Sequence, residues 1–131
     1  MLELELGPDD LAEALKRIEA EAAAHELSDA RRYRIRLLAE ENLSNVLRHA
    51  DFGEKPPRVT FTMTIDERGE ATLRFRDRAA MFDPLKHPDP DLDHPLYLRK
   101  PGGLGIYLLK QLAREVHYRY ENGYNILELT V

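Results

Sequence analysis

The chain contains no cysteine. Disulfide staples and the thiolate ligands of structural zinc are therefore excluded, and nothing points to an oxidising compartment. Positive charge is not in excess: 19 Lys and Arg stand against 24 Asp and Glu, a net charge of −5. Nucleic-acid binding needs a basic face, so this balance argues against nucleic acid as the main partner. One phosphorylated small ligand would need only a local positive spot. No apolar run approaches the roughly 20 residues that span a bilayer. The opening MLELELGPDD lacks the basic start and apolar centre of a secretory signal. Internal repeats and low-complexity tracts are also missing. These absences lead to the expectation of a soluble cytoplasmic protein with no membrane contact.

What is present suits one domain over residues 1–131, with 43% hydrophobic and 33% charged residues. A chain of this length buries roughly 65–70% of its unfolded surface and folds without metal or cross-links. LELEL at Leu2–Leu6 alternates as a half-buried strand. Gly7 and Pro8 break it. Asp9 or Asp10 can cap a helix to about Leu27, with Leu11, Ala14, Leu15 and Ile18 at helical spacing. Ser28 opens a second helix, with Asp29 in its first turn, running to about Ala50. VTFTMTI and ATLRFRD are amphipathic strands joined at DERGE. Residues 78–101 show no regular period and hold five of the eight prolines. A loop of that length inside a compact domain is usually functional or disordered. A third helix follows Gly102-Gly103-Leu104-Gly105, and Asn122-Gly123 marks a closing hairpin. The order β-α-α-β-β-loop-α-β-β implies an α+β, two-layer sandwich. Its sheet should be mixed and mostly antiparallel, with three helices on one face. The other face must be polar or covered by a partner.

Three segments carry chemistry. In LLAEENLSNVLRHA, residues Glu41, Asn45 and His49 form one slanted row beside the apolar stripe of Ile35, Ala39, Leu43, Val46 and Ala50. A carboxylate and an amide oxygen one turn apart suit a hard divalent cation or a positioned water; a solvated helix edge is the plain alternative. In FRDRAAMFDP, Asp77 ends a strand, where it can accept a hydrogen bond from a ligand amino group. Phe82 can anchor the loop, and Asp83-Pro84 starts a turn. In RKPGGLGIYLL, glycines at a helix entrance let backbone N–H groups approach an anion, with Arg99 and Lys100 adding positive charge. No Gly-Lys-Ser/Thr follows, so this is not a P-loop, and no βαβ unit makes it a dinucleotide fingerprint. Asp89, Asp91 and Asp93 have calcium-loop spacing. The sixth and twelfth positions are His94 and Lys100 rather than Gly and Glu, which removes that reading. Tyr118, Tyr120 and Tyr124 read as strand packing.

In combination the three segments resemble the boxes of the GHKL (histidine-kinase-like) ATPase superfamily, with its Bergerat-type fold. Within it the chain is most similar to bacterial anti-sigma-factor serine-protein kinases. EENLSNVLRHA matches the first box and RDRAAMFDP the second, and the segment from PGGLG to the C-terminus matches the glycine box, closing helix and hairpin. The resemblance implies ATP and Mg²⁺ as cofactors. It assigns Glu41 as general base, Asn45 as the Mg²⁺ ligand and Asp77 as acceptor of the adenine amine. Phe82, Arg99, Lys100, Gly102, Gly103, Leu104 and Gly105 would hold the nucleotide, under an ATP lid over about residues 78–103. It further implies a sigma factor or a STAS-domain antagonist as partner, serine phosphorylation of that antagonist, and a homodimer. The alternatives are a non-catalytic nucleotide-binding partner-switching module and the ATPase domain of a split sensor histidine kinase. Two residues depart from the pattern. Ala79 stands where the second box has glycine; in a left-handed backbone, alanine would cost roughly 1–2 kcal/mol. Pro101 stiffens the approach to the glycines.

Overall fold

A computed structural model describes residues 1–86 and 103–131. Strand β1 (Leu2–Leu6) leads into helices α1 (Leu11–Ala24) and α2 (Asp29–His49). Strands β2 (Val59–Ile65) and β3 (Ala71–Asp77) follow, then one 3-10 turn at Pro84–Lys86. Helix α3 (Gly103–Leu112) and strands β4 (Glu115–Glu121) and β5 (Tyr124–Thr130) close the chain. The strands make one sheet in the order β1-β2-β3-β5-β4. All four pairings are antiparallel, which corrects the expectation of a mixed, mostly antiparallel sheet.

Local chemistry accounts for most boundaries. The Ser28 hydroxyl accepts from the Arg31 N–H at 3.3 Å, capping α2. Asp10 occupies the N-cap position of α1 but makes no capping bond. Its Oδ2 instead accepts from the Gly7 N–H at 2.8 Å, closing the turn out of β1. In the β2–β3 turn, Asp66 Oδ1 accepts from the N–H groups of Arg68 and Glu70, both at 2.9 Å. Between β4 and β5, Asn122 and Gly123 have φ of 53° and 82°, the two left-handed residues of a type I′ turn.

Alternation then sorts the sheet into faces. Leu2, Leu4 and Leu6 pair with Met63, Phe61 and Val59, and Phe61 pairs with Phe75, their rings 5.3 Å apart. These pack with Ile18 of α1, Ile35, Leu38, Ala39 and Leu43 of α2, and Leu109 of α3 into one core. Each fully buried aliphatic or aromatic side chain contributes about 1.5–3 kcal/mol. The opposite face presents Thr60, Thr62, Arg74, Arg76 and Glu128. Apart from the buried Ile126, which pairs with Arg76, it is polar, the first of the two options the pattern allowed. Arg74 pairs with Glu128 at 3.7 Å across β3–β5, and Arg76 lies 4.8 Å from the Tyr124 ring centroid. Among the described residues, no helix is long and apolar enough to cross a membrane.

Candidate functional site

The layers part at one end. A cavity of about 390 Å³ opens there between the C-terminal half of α2, the exit of β3 and the start of β5. That volume falls in the usual range for small-molecule sites. Its α2 wall comprises Asn42, Asn45, Val46 and His49, with Ala50 just beyond the helix. Phe75, Asp77 and Leu127 form its floor, and residues 79–82 and Ile106 its rim. Asn45 and Asp77, remote in sequence, therefore share one cavity.

Asp77 anchors the polar end. It ends β3 on the core-facing side and is buried. Its Oδ1 accepts from the Ala79 N–H at 2.9 Å and from Asn125 Nδ2 at 3.0 Å. Burial pushes its pKa above the usual carboxylate value, and the bonds from Asn125 and Ala79 offset part of that rise. Asn125 is opposite Asp77 in the β3–β5 register and is also buried. Its Nδ2 further donates to the Ala79 carbonyl at 3.0 Å and the Ala80 carbonyl at 3.2 Å. Its Oδ1 accepts from the Phe82 N–H at 3.1 Å and from the Tyr118 hydroxyl. Burial also raises the Tyr118 pKa, opposed by the Phe82 N–H. The loop is tied on its other side by Ala80 N–H, which donates to the Asp51 carbonyl at 2.8 Å, just beyond α2.

On α2 the apolar stripe turns Asn42 inward, where its Nδ2 donates to the Leu38 carbonyl at 2.8 Å. Asn45, three residues on, is half-buried and lines the cavity. His49, one turn further, lines it from an exposed position. Glu41 is half-buried one turn before Asn45 and is not among the lining residues. Phe82 lines the rim but is 53% exposed. Gly103, Leu104 and Gly105 form the first turn of α3. Arg99, Lys100, Gly102 and Pro101 lie outside the described residues.

The structure bears on two further sequence expectations. The described non-glycine residues with positive φ are Glu26 and Asn122, so Ala79 does not adopt the left-handed backbone whose penalty was considered. Alanine carries no such strain there. Tyr118 packs against the core from β4, as the strand reading expects, and in addition sends its hydroxyl to the cluster around Asn125. Asn125 itself was not singled out. The available signal was a lone amide in an apolar strand, since Asn is depleted in strands.

Among the described residues, no three His, Cys, Asp or Glu side chains gather to hold a metal ion. A cation here would take few protein ligands and complete its shell with phosphate oxygens and water, as Mg²⁺ commonly does. The amide oxygen of Asn45 is a hard donor of the type required.

Comparison with known proteins identifies the family. The chain is 30% identical over 129 residues to the serine/threonine-protein kinase BtrW of Bordetella bronchiseptica, covering 98% of this chain and 90% of that protein. A family model described as the histidine kinase-like ATPase domain matches residues 4–131. With the α/β sandwich and the cavity at its open end, the match across nearly the whole length places this chain in the histidine kinase-like ATPase domain family.

Proposed function

We propose that the protein binds Mg·ATP in the cavity between α2 and β3 and transfers the γ-phosphoryl group to a serine of a STAS-type antagonist protein. The observation that carries this reading is the convergence of Asn45 and Asp77 on one cavity. Family membership supports ATP as the ligand, and the likeness to a serine/threonine-protein kinase supports serine as the acceptor. Asp77 would accept from the adenine amine through Oδ2, which among the described residues has no donor of its own. Asn45 would hold Mg²⁺ by its amide oxygen. When bound, the ion would neutralise charge on the phosphate oxygens. Glu41 would take the proton of the attacking serine hydroxyl as the oxygen–phosphorus bond forms and ADP leaves. Arg99, Lys100 and the glycines at 102, 103 and 105 would contact the phosphates. Such positioning and charge compensation is nearly the whole catalytic task in phosphoryl transfer. In the same reading, the protein forms a homodimer and sequesters a sigma factor when its antagonist is phosphorylated.

The test is direct. The purified protein, labelled ATP, Mg²⁺ and the candidate antagonist should yield phosphoserine. Absence of phosphoserine, with nucleotide binding confirmed, would reject the kinase activity.

A second reading is a nucleotide-binding module that acts by partner exchange without catalysis. It is favoured by the position of Glu41 outside the cavity wall. Full regulatory function in a Glu41→Ala variant would support it.

A further inference from the structure

Asn125 uses both ends of its amide within the protein. Its oxygen meets two donors, the Phe82 N–H and the Tyr118 hydroxyl. Its nitrogen meets three acceptors: Asp77 Oδ1 and the carbonyls of Ala79 and Ala80. Only one amide orientation satisfies this set. Reversed, the oxygen would face three acceptors and the NH₂ would face the Phe82 N–H, a donor. The orientation is thus dictated by the surroundings. It also dictates how Asp77 presents itself: with Oδ1 held by Ala79 and Asn125, the carboxylate plane is fixed.

We propose that Asn125 is the positioning residue of the base site. It clamps the Asp77 carboxylate and the 79–82 backbone so that one carboxylate oxygen alone faces the ligand, and Tyr118 keeps its amide in register. The proposal rests on the reading of Asp77 as the acceptor of a base amine. Asn125 contributes no group to the ligand; it confers selectivity through Asp77. A single fixed acceptor favours a base with an amine at that position and disfavours one with a carbonyl, because two acceptors would then face each other.

Three of the five bonds go to the backbone of residues 79, 80 and 82, so this amide also sets the cavity rim. Packing alone does not require this arrangement. The neighbouring core-facing positions of β5 are the apolar Leu127 and Leu129. An apolar residue at 125 would bury without needing partners, whereas a buried amide is tolerated only because every polar atom is matched.

The experiment measures equilibrium affinities for ATP and for inosine triphosphate, which carries a carbonyl in place of the amine. It uses the full chain and the variants Asn125→Ala, Tyr118→Phe and Asp77→Asn. The original protein should prefer ATP, and Asp77→Asn should abolish or invert that preference. Asn125→Ala should reduce the ATP/ITP ratio about tenfold and Tyr118→Phe about threefold, with ITP affinity held within about twofold. Loss of fold would lower both affinities together; the ratio reads positioning. An unchanged ratio in folded Asn125→Ala and in Tyr118→Phe, with the preference lost in Asp77→Asn, would overturn the role of Asn125. If Asn125→Ala does not fold, Tyr118→Phe decides alone, and an unchanged ratio overturns the proposal. If the original protein shows no preference for ATP, the base reading of Asp77 fails first and the proposal with it.

Discussion

Asn125 Nδ2 donates to Asp77 Oδ1 at 3.0 Å, directly across the β3–β5 pair. This bond joins the end of one strand to the beginning of another that arrives only after α3 and β4. It fixes the polar end of the cavity.

Burial raises the pKa of Asp77 above its ordinary value near 3.8. The folded state therefore holds this proton to higher pH than the unfolded chain does. Stability contributed by the protonated form is full below the unfolded value and is lost as pH rises through the folded value. Asp77→Asn removes that loss while its amide oxygen can still accept from Ala79 and Asn125. The stability difference between variant and original should shift in favour of the variant between acid and neutral pH. Urea unfolding at pH 3, 5 and 7 measures it; a constant difference would contradict the burial account.

Ala79 is free of left-handed strain. Restoring the glycine of the family pattern should therefore bring no relief. Ala79→Gly is predicted to lower stability by about 0.4–1 kcal/mol, through the extra freedom it gives the unfolded chain. Denaturant unfolding checks this, and a gain in stability would show hidden strain at that position.

Glu41 is half-buried and makes no ion pair among the described residues. Glu41→Ala should leave stability within about 0.5 kcal/mol. With Glu41 as the general base of the proposed transfer, the variant should slow phosphoryl transfer by about 10²–10⁴-fold, with ATP affinity little changed. Single-turnover transfer and equilibrium binding, measured side by side, separate the two effects. Equal rates in variant and original would remove Glu41 from the chemistry.

Phe61 is fully buried against Phe75 beneath the helices. Phe61→Ala should cost about 3–5 kcal/mol. Phe61 does not line the cavity, so nucleotide affinity of the folded fraction should be nearly unchanged. Urea unfolding and a binding titration under stabilising conditions test the two halves of that statement.

Much of this architecture was legible because its signals are local. LELEL alternates, Ser28 caps a helix, Asn122-Gly123 turns a hairpin, and the helical row places Asn45 beside the core stripe. Asp77 could be read at a strand end next to an irregular segment. Asn125 could not, since its meaning depends on the β3–β5 pairing, which joins strands far apart in the chain. Tyr118 was hidden for the same reason: its hydroxyl matters only once Asn125 is opposite Asp77. The backbone of Ala79 was equally beyond reach, because the identity of a residue does not state its φ. The entirely antiparallel sheet likewise depends on two distant pairings, β1–β2 and β3–β5, and not on the hairpins alone.

The central claim is that Asn45 and Asp77 form the metal end and the base end of one nucleotide pocket. Isothermal titration of ATP, with and without Mg²⁺, tests it most directly in the original protein and in Asn45→Ala. The account predicts one site per chain that Mg²⁺ strengthens in the original protein, with that strengthening lost in Asn45→Ala. A flat trace in the original protein under both conditions would contradict it.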